Sequence, residues 1–346
     1  MENKEIKLAY LAGALDGDGS FSLIKRTKGS SVGISPLYYP VIQFGGLHKE
    51  LVDMFATEFG GSIFTRKAHI NNDGKNRKTF FAWKTEKSNQ CMPALESLIP
   101  YLIVKKQRAT LLRDFITDNP FIRGSNRLTN DVLLRREKSY LKMKEFNENP
   151  SMHCDLNSRR QTSEDSLFWA YAAGLMDTDG SFSLKREIRK SKQYAPVILL
   201  TMVDCRAIYH IMNNFVGGKS IIIKAKTAKK GFCYRFSINS REAAINFLTR
   251  CLPYLSVKKN IAQKLLEFCQ ITKVTKGCKG VSTADIQIRD QYYFDLIELN
   301  NGVYKFPLIV LEPLTDNAEG NKEQAGQKPC SLNAVSEETS NEDAVL

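Results

Sequence analysis

Asp16-Gly17-Asp18-Gly19-Ser20-Phe21-Ser22-Leu23 returns as Asp177-Thr178-Asp179-Gly180-Ser181-Phe182-Ser183-Leu184, with seven of eight residues unchanged at an offset of 161. Farther along, Pro100-Tyr101-Leu102-Ile103-Val104-Lys105-Lys106 returns as Pro253-Tyr254-Leu255-Ser256-Val257-Lys258-Lys259, six of seven unchanged at an offset of 153. Between them Glu58-Phe59-Gly60-Gly61 answers Asn214-Phe215-Val216-Gly217 at an offset of 156. The order is kept and only loop lengths drift, so the chain is a duplicated domain. The copies cover residues 1–149 and 163–302, with a polar linker at 150–162 and an acidic extension at 303–346 that is expected to be disordered.

Each copy reads alike. An apolar helix (Ile6 to Leu15; Phe168 to Met176) ends at the Asp-x-Asp-Gly, and Thr162 to Asp165 resembles a capping box before the second one. An alternating stretch follows, then a second strand (Tyr39 to Phe44; Pro196 to Thr201). A helix (Lys49 to Phe59; Arg206 to Phe215) closed by Gly comes next. Two further strands (Ser62 to Lys67 and Thr79 to Thr85; Ser220 to Lys226 and Phe232 to Ile238) lead into more helices. This αββαββα order predicts an α+β fold, each half carrying a four-stranded antiparallel sheet.

Ala9 and Gly13 lie four apart on the first helix, hence on one face, and Ala170 and Gly174 do the same on the second. Small residues at that spacing let two helix backbones approach closely. If these helices pair, Asp18 and Asp179 emerge side by side at their C-terminal ends, with Gly19 and Gly180 allowing a sharp exit into a strand. Asp16 and Asp177 are expected to cap turns. Two adjacent carboxylates suit a divalent metal with oxygen ligands, and such a metal near a phosphodiester activates water and stabilises the leaving oxygen. Lys105 and Lys258, at matching places after a Pro-Tyr-Leu turn, supply a cation for each site.

The formal net charge is +13 over 346 residues. Residues 311–346 hold eight acids against two Lys, a net of −6, which leaves +19 on the rest. A body that basic fits a polyanionic partner, and nucleic acid is the usual one. No run of eighteen apolar residues exists, so no membrane span is expected, and the Met-Glu-Asn-Lys-Glu start fits neither a signal nor a transit peptide. The eight Cys show no CxxC and the four His no ligand spacing, which argues against zinc and disulfide chemistry. The expected place is intracellular: a bacterial or phage cytoplasm, or an organelle.

Leu11-Ala12-Gly13-Ala14-Leu15-Asp16-Gly17-Asp18-Gly19 and Ala172-Ala173-Gly174-Leu175-Met176-Asp177-Thr178-Asp179-Gly180 resemble the two motifs of a double-motif LAGLIDADG homing endonuclease. The resemblance extends over about the first 300 residues and takes in both Pro-Tyr-Leu-x-Val-Lys-Lys elements. It implies a monomer with the motif helices at the interface between halves. It implies Mg2+, two or three ions shared by two sites, held by Asp18 and Asp179 with the carbonyls of Gly17 and Thr178, and aided by Lys105 and Lys258. It implies cutting of double-stranded DNA across the minor groove to leave 3′ overhangs. The family often has a polar residue, commonly Gln, ending the second strand to organise water. The stretches here read Gln43-Phe44-Gly45-Gly46 and Leu199-Leu200-Thr201-Met202, and Gln43 and Thr201 are the polar residues in them.

A saddle of two antiparallel sheets, as the resemblance implies, can lie in the major groove on both sides of the cut, with alternate strand residues facing the DNA. With Phe21 and Leu23 inward, Ser22, Ile24, Arg26 and Lys28 face out, and the second copy gives Ser183, Lys185, Glu187 and Arg189. Arg66, Lys84, Lys224, Lys226 and Arg235 are the contacts expected from the later strands. The two sets differ, so the target should be asymmetric. Two other readings stand beside the endonuclease: a maturase that binds intron RNA, for which the basic region Arg123 to Lys144 is a candidate, and a non-catalytic DNA-binding regulator, which loss of the motif acids would mark.

Overall fold

The computed structural model describes residues 3–26, 36–70, 76–119, 129–148, 161–188, 192–224, 232–271 and 282–301. Residues 1–304 form one compact unit. The described elements run α1 (Lys4–Asp18), β1 (Gly19–Arg26), β2 (Leu37–Gly46), α2 (Lys49–Phe59), β3 (Ser62–Arg66), β4 (His69–Ile70), β5 (Asn76–Arg77), β6 (Phe80–Thr85), α3 (Ser88–Leu98), α4 (Lys106–Asp118) and α5 (Asn130–Glu148). The second series is α6 (Ser166–Thr178), β7 (Gly180–Ile188), β8 (Lys192–Met202), α7 (Cys205–Asn214), β9 (Lys219–Lys224), β10 (Phe232–Ile238), α8 (Arg241–Cys251), α9 (Lys259–Ile271) and α10 (Thr283–Asn301). The fold is α+β, with antiparallel sheets ordered β1-β2-β6-β3 and β7-β8-β10-β9. β4 and β5 form a separate small hairpin between β3 and β6.

Registers in the two sheets match. Ser20 pairs with Gln43 as Ser181 pairs with Leu199, and Phe21 pairs with Ile42 as Phe182 pairs with Ile198. Phe21, Leu23, Ile42, Phe44 and Trp83 point to the helix side and are buried. There Trp83 stacks on Phe55 of α2 at 5.2 Å between centroids. Phe182, Leu200 and Phe236 take the same positions in the second sheet, where Phe236 packs on Phe247 of α8. Each such aromatic contributes roughly 1.5–3 kcal/mol by leaving water.

α1 and α6 pack against each other, and both are buried nearly all round. An ideal Cβ on Gly13 would lie 2.0 Å from the carbonyl oxygen of Tyr171. One on Gly174 would lie 2.0 Å from that of Tyr10. The two glycines therefore set the backbone-to-backbone distance reciprocally.

Both motif helices run longer than their apolar pattern, through Asp18 and Thr178. The capping box at Thr162 does not form. Asp165 is itself the N-cap and accepts from the Leu167 amide at 2.9 Å, while the Ser163 hydroxyl accepts from the Asp165 amide. Gly19 leaves the helix at φ −86°, a conformation open to any residue. Glycine is needed there because a Cβ would meet Leu15 Cδ2 at 2.3 Å and the Leu15 carbonyl at 2.7 Å. Positive φ occurs at Gly60 (+67°), which closes α2, and at Gly217 (+116°), beyond the end of α7.

The terminal helices are held to the hairpins by equivalent clusters. Glu137 of α5 receives Lys25 at 2.7 Å and the Tyr38 hydroxyl. Asp290 of α10 receives Arg186 at 3.6 Å and the Tyr194 hydroxyl. Among the described residues no helix is long and apolar enough to cross a membrane. Cys91, Cys205, Cys233, Cys251 and Cys269 are free and buried.

Candidate active site

The pairing of α1 and α6 brings their C-terminal ends together. A Cβ on Gly17 would meet Thr178 Oγ1 at 2.1 Å and Asp179 Oδ2 at 3.2 Å, so Asp179 stands over the end of the opposite helix. The Thr178 hydroxyl turns back to donate to the Leu175 carbonyl at 2.9 Å and fills the space that Gly17 leaves.

Asp18 and Asp179 are both exposed. Enough protein surrounds them that burial nonetheless raises both carboxyl groups above the usual range. Asp179 is pushed up to about 6, by desolvation first and by the charge of Asp18 second, against the pull of Lys105 and Lys258. Among the described residues, no side chain or amide donates a hydrogen bond to either carboxylate. Two crowded, mutually repelling carboxylates without donors form a set that a divalent cation would balance.

Lys105 and Lys258 lie beside this pair in a specific way. A helix leaves its last carbonyls without partners and with partial negative charge. The buried Lys105 ammonium donates to the carbonyls of Leu15, Asp16 and Gly17 at 2.6, 2.9 and 2.7 Å. Lys258 donates to those of Met176, Thr178 and Gly180 at 2.9, 2.9 and 2.7 Å. Each ammonium thus uses its three donors around the end of its own half's motif helix, Lys258 reaching past α6 to Gly180 at the start of β7. Burial lowers the Lys105 ammonium to about 8, opposed by Asp16 and Asp179, and lowers Lys258 in the same direction. The Gly17 and Thr178 carbonyls, expected as metal ligands, each accept from a lysine here.

Asp16 and Asp177 do more than cap turns. Asp16 is buried and accepts from the amides of Ile103, Val104 and Lys105 at 2.8, 2.9 and 2.8 Å. Asp177 accepts from those of Ser256, Val257 and Lys258 at 2.8, 3.2 and 2.8 Å. Each aspartate also receives a hydroxyl from the opposite half, Tyr171 to Asp16 at 2.9 Å and Tyr10 to Asp177 at 2.7 Å. Burial, together with the carboxylate it faces, holds each phenol well above its ordinary pKa, so both remain donors. These two tyrosines escape a reading of the motif alone. The signal for them is that Tyr10 and Tyr171 recur at the same offset of 161 as the acids.

The side of each sheet away from the helices gathers most of the expected contacts. By register Ser22, Ile24 and Arg26 share it with Gln43, Lys84, Phe64 and Arg66. Arg26 lies over the Tyr39 ring at 4.9 Å and Arg66 over Phe80 at 5.1 Å, while Lys84 pairs with Glu86. In the second sheet Ser183, Lys185 and Glu187 share it with Thr201 and Arg235, and Lys185 pairs with Glu187. Lys224 does not join them. It sits opposite Phe232, in register with the residues that pack on the helices, because strand side chains alternate and it is out of step with Ile221 and Arg235. Lys28, Arg189 and Lys226 lie outside the described residues. Gln43 is equivalent by register to Leu199, and Thr201 to Gly45, so the polar residue at this strand end differs between halves. Thr201 accepts from Arg235 at 3.4 Å.

No family model and no curated protein matches the chain. Solved structures do. The LAGLIDADG homing endonuclease I-LtrWI bound to target DNA superposes with a TM-score of 0.58 at 14% identity, covering 88% of this chain and 99% of that one. I-GzeII, another LAGLIDADG homing endonuclease in complex with a DNA target, gives 0.57 at 14% identity, covering 87% and 99%. I-SmaMI, bound to uncleaved target DNA in the presence of calcium ions, gives 0.56 at 16% identity, covering 86% and 98%. At these identities the likeness establishes a shared fold.

Proposed function

We propose that this chain, which has the two-domain fold of the LAGLIDADG homing endonucleases, is a site-specific endonuclease that cuts both strands of a long, asymmetric DNA target. The observation that carries this reading is the pair Asp18 and Asp179, exposed at the touching ends of two helices and lacking any described hydrogen-bond donor. Asp18 and Asp179 would hold divalent cations, for which magnesium is the ion proposed, two or three being shared between the sites. A cation there supplies Lewis-acid activation of water and stabilisation of the leaving oxygen.

The chain's own residues supply the rest. Lys105 and Lys258 close the helix ends and keep positive charge beside the carboxylates, where the charge on a phosphate grows as it is attacked. The short distance between the helix ends suits two phosphates facing each other across a narrow minor groove, which gives 3′ overhangs. The outer sheet faces, with Arg26, Arg66, Lys84 and Arg235, lie along the flanking major grooves, some residues positioning the duplex and others reading bases. The halves 1–149 and 163–302 act as one monomer, each taking one side of the target. Their outer faces differ in sequence, hence the asymmetry.

The test begins with a pool of randomised duplexes selected by binding in calcium. Selected duplexes are then exposed to the protein with magnesium or with EDTA. Magnesium-dependent cutting of both strands supports the proposal. Tight binding with no cutting in any divalent ion would instead identify a DNA-binding regulator.

A further inference from the structure

We infer that each half positions the lysine of the other: Tyr171 and Tyr10 are crossed positioning residues, each acting through a buried aspartate on the site lysine of the opposite half. The chain of contacts is short. The Tyr171 hydroxyl donates to Asp16 Oδ2, which also takes the amides of Ile103 and Val104, while Asp16 Oδ1 takes the amide of Lys105. Lys105, so placed, turns its ammonium onto the end of α1. The second chain divides the oxygens identically. Asp177 Oδ2 takes the Tyr10 hydroxyl and the amides of Ser256 and Val257, and Oδ1 takes the amide of Lys258. Lys258 then closes the end of α6.

The hydroxyls are not needed to hold the helices together. That contact is made by backbone, at Gly13 against the Tyr171 carbonyl and Gly174 against the Tyr10 carbonyl, and by rings that phenylalanine would also supply. What the hydroxyls add is a fixed carboxylate orientation. Both tyrosines are buried, so bulk water cannot take the place of a deleted hydroxyl. Neither lysine is therefore fully placed until the halves have docked, which ties the two cuts to one assembled state.

This coupling deepens the endonuclease reading and rests on it for its kinetic consequence. The test uses Tyr171→Phe and Tyr10→Phe, with Lys105→Met and Lys258→Met as references, on a selected duplex whose strands are separately end-labelled. Tyr171→Phe should slow, by about tenfold, the strand that Lys105→Met slows, and leave the other within about twofold. Tyr10→Phe should follow Lys258→Met. Equal slowing of both strands, or a match to the lysine of the tyrosine's own half, overturns the inference.

Native-state hydrogen exchange on the full chain reads the same coupling without cutting. In Tyr171→Phe the amides of Ile103, Val104 and Lys105 should exchange about tenfold faster, with those of Ser256, Val257 and Lys258 unchanged. Tyr10→Phe should give the reverse. Uncrossed or unaltered exchange overturns the inference. If the wild type binds DNA and cuts neither strand, the endonuclease reading falls and the exchange pattern alone decides the coupling.

Discussion

The carbonyl oxygen of Tyr171 stands 2.0 Å from the place a Cβ on Gly13 would occupy. Helix meets helix there through backbone, with no side chain to yield. Gly13→Ala or Gly174→Ala must push α1 and α6 apart, at a cost of about 3 kcal/mol or more. A fall of that size in unfolding free energy, measured by urea titration, with loss of cutting as Asp18 and Asp179 separate, is expected. A variant as stable and active as the wild type would show that the helices pair differently.

Asp179 ties stability to pH. Its carboxyl is raised to about 6 from an ordinary 3.8. Between those values the folded protein keeps a proton that the unfolded chain has released. The stability this group contributes is full below about pH 4 and is lost as pH rises through about 6. Asp179→Asn should therefore melt at higher temperature than the wild type above pH 7, with the difference shrinking towards pH 4. Added magnesium should narrow the gap by stabilising the wild type, which calorimetry across pH with and without the ion would show.

The outer sheet faces predict which cations meet phosphate. Arg26→Ala, Lys84→Ala and Arg235→Ala should weaken DNA binding, each lost phosphate contact reducing the slope of log affinity against log salt by about 0.9. Lys224→Ala, whose side chain is in register with the helix-packed residues, should leave the slope unchanged. Fluorescence anisotropy over a salt series separates these outcomes.

Lys105 carries the sharpest consequence among the lysines. Lys105→Met keeps a long apolar stem and deletes the ammonium that donates to the carbonyls of Leu15, Asp16 and Gly17. Cutting should fall by about a hundredfold or more while binding holds. Lys105→Arg should not restore it, because a planar guanidinium does not match three carbonyls arranged around a point charge. Single-turnover rates and affinities measured together give the answer.

The duplication, the antiparallel four-stranded sheet of each half and the pairing of small residues on α1 and α6 are legible because each rests on identical residues at a steady offset or on simple periodicity, whereas the strand order within each sheet comes from the pairing alone. The helix ends were not. α1 continues to Asp18 because its last carbonyls are satisfied by Lys105, which lies 87 residues beyond Asp18 and is invisible to a local reading. The work of Asp16 and Asp177 was hidden for the same reason, since the amides they take belong to distant turns. The equivalence of Lys25, Tyr38 and Glu137 with Arg186, Tyr194 and Asp290 passes beneath a search for identity, because two of its three positions change residue while keeping charge. A count of cations does not tell which face of β9 carries Lys224, because only the pairing of β9 with β10 fixes the register.

The most direct test of the two-carboxylate account is strand-resolved cleavage of a calcium-selected duplex in magnesium by the wild type, Asp18→Asn and Asp179→Asn, with binding measured alongside. The wild type should cut both strands with a stagger, and both variants should lose cutting severely at unimpaired affinity. Double-strand cutting at the wild-type rate by both variants would contradict it.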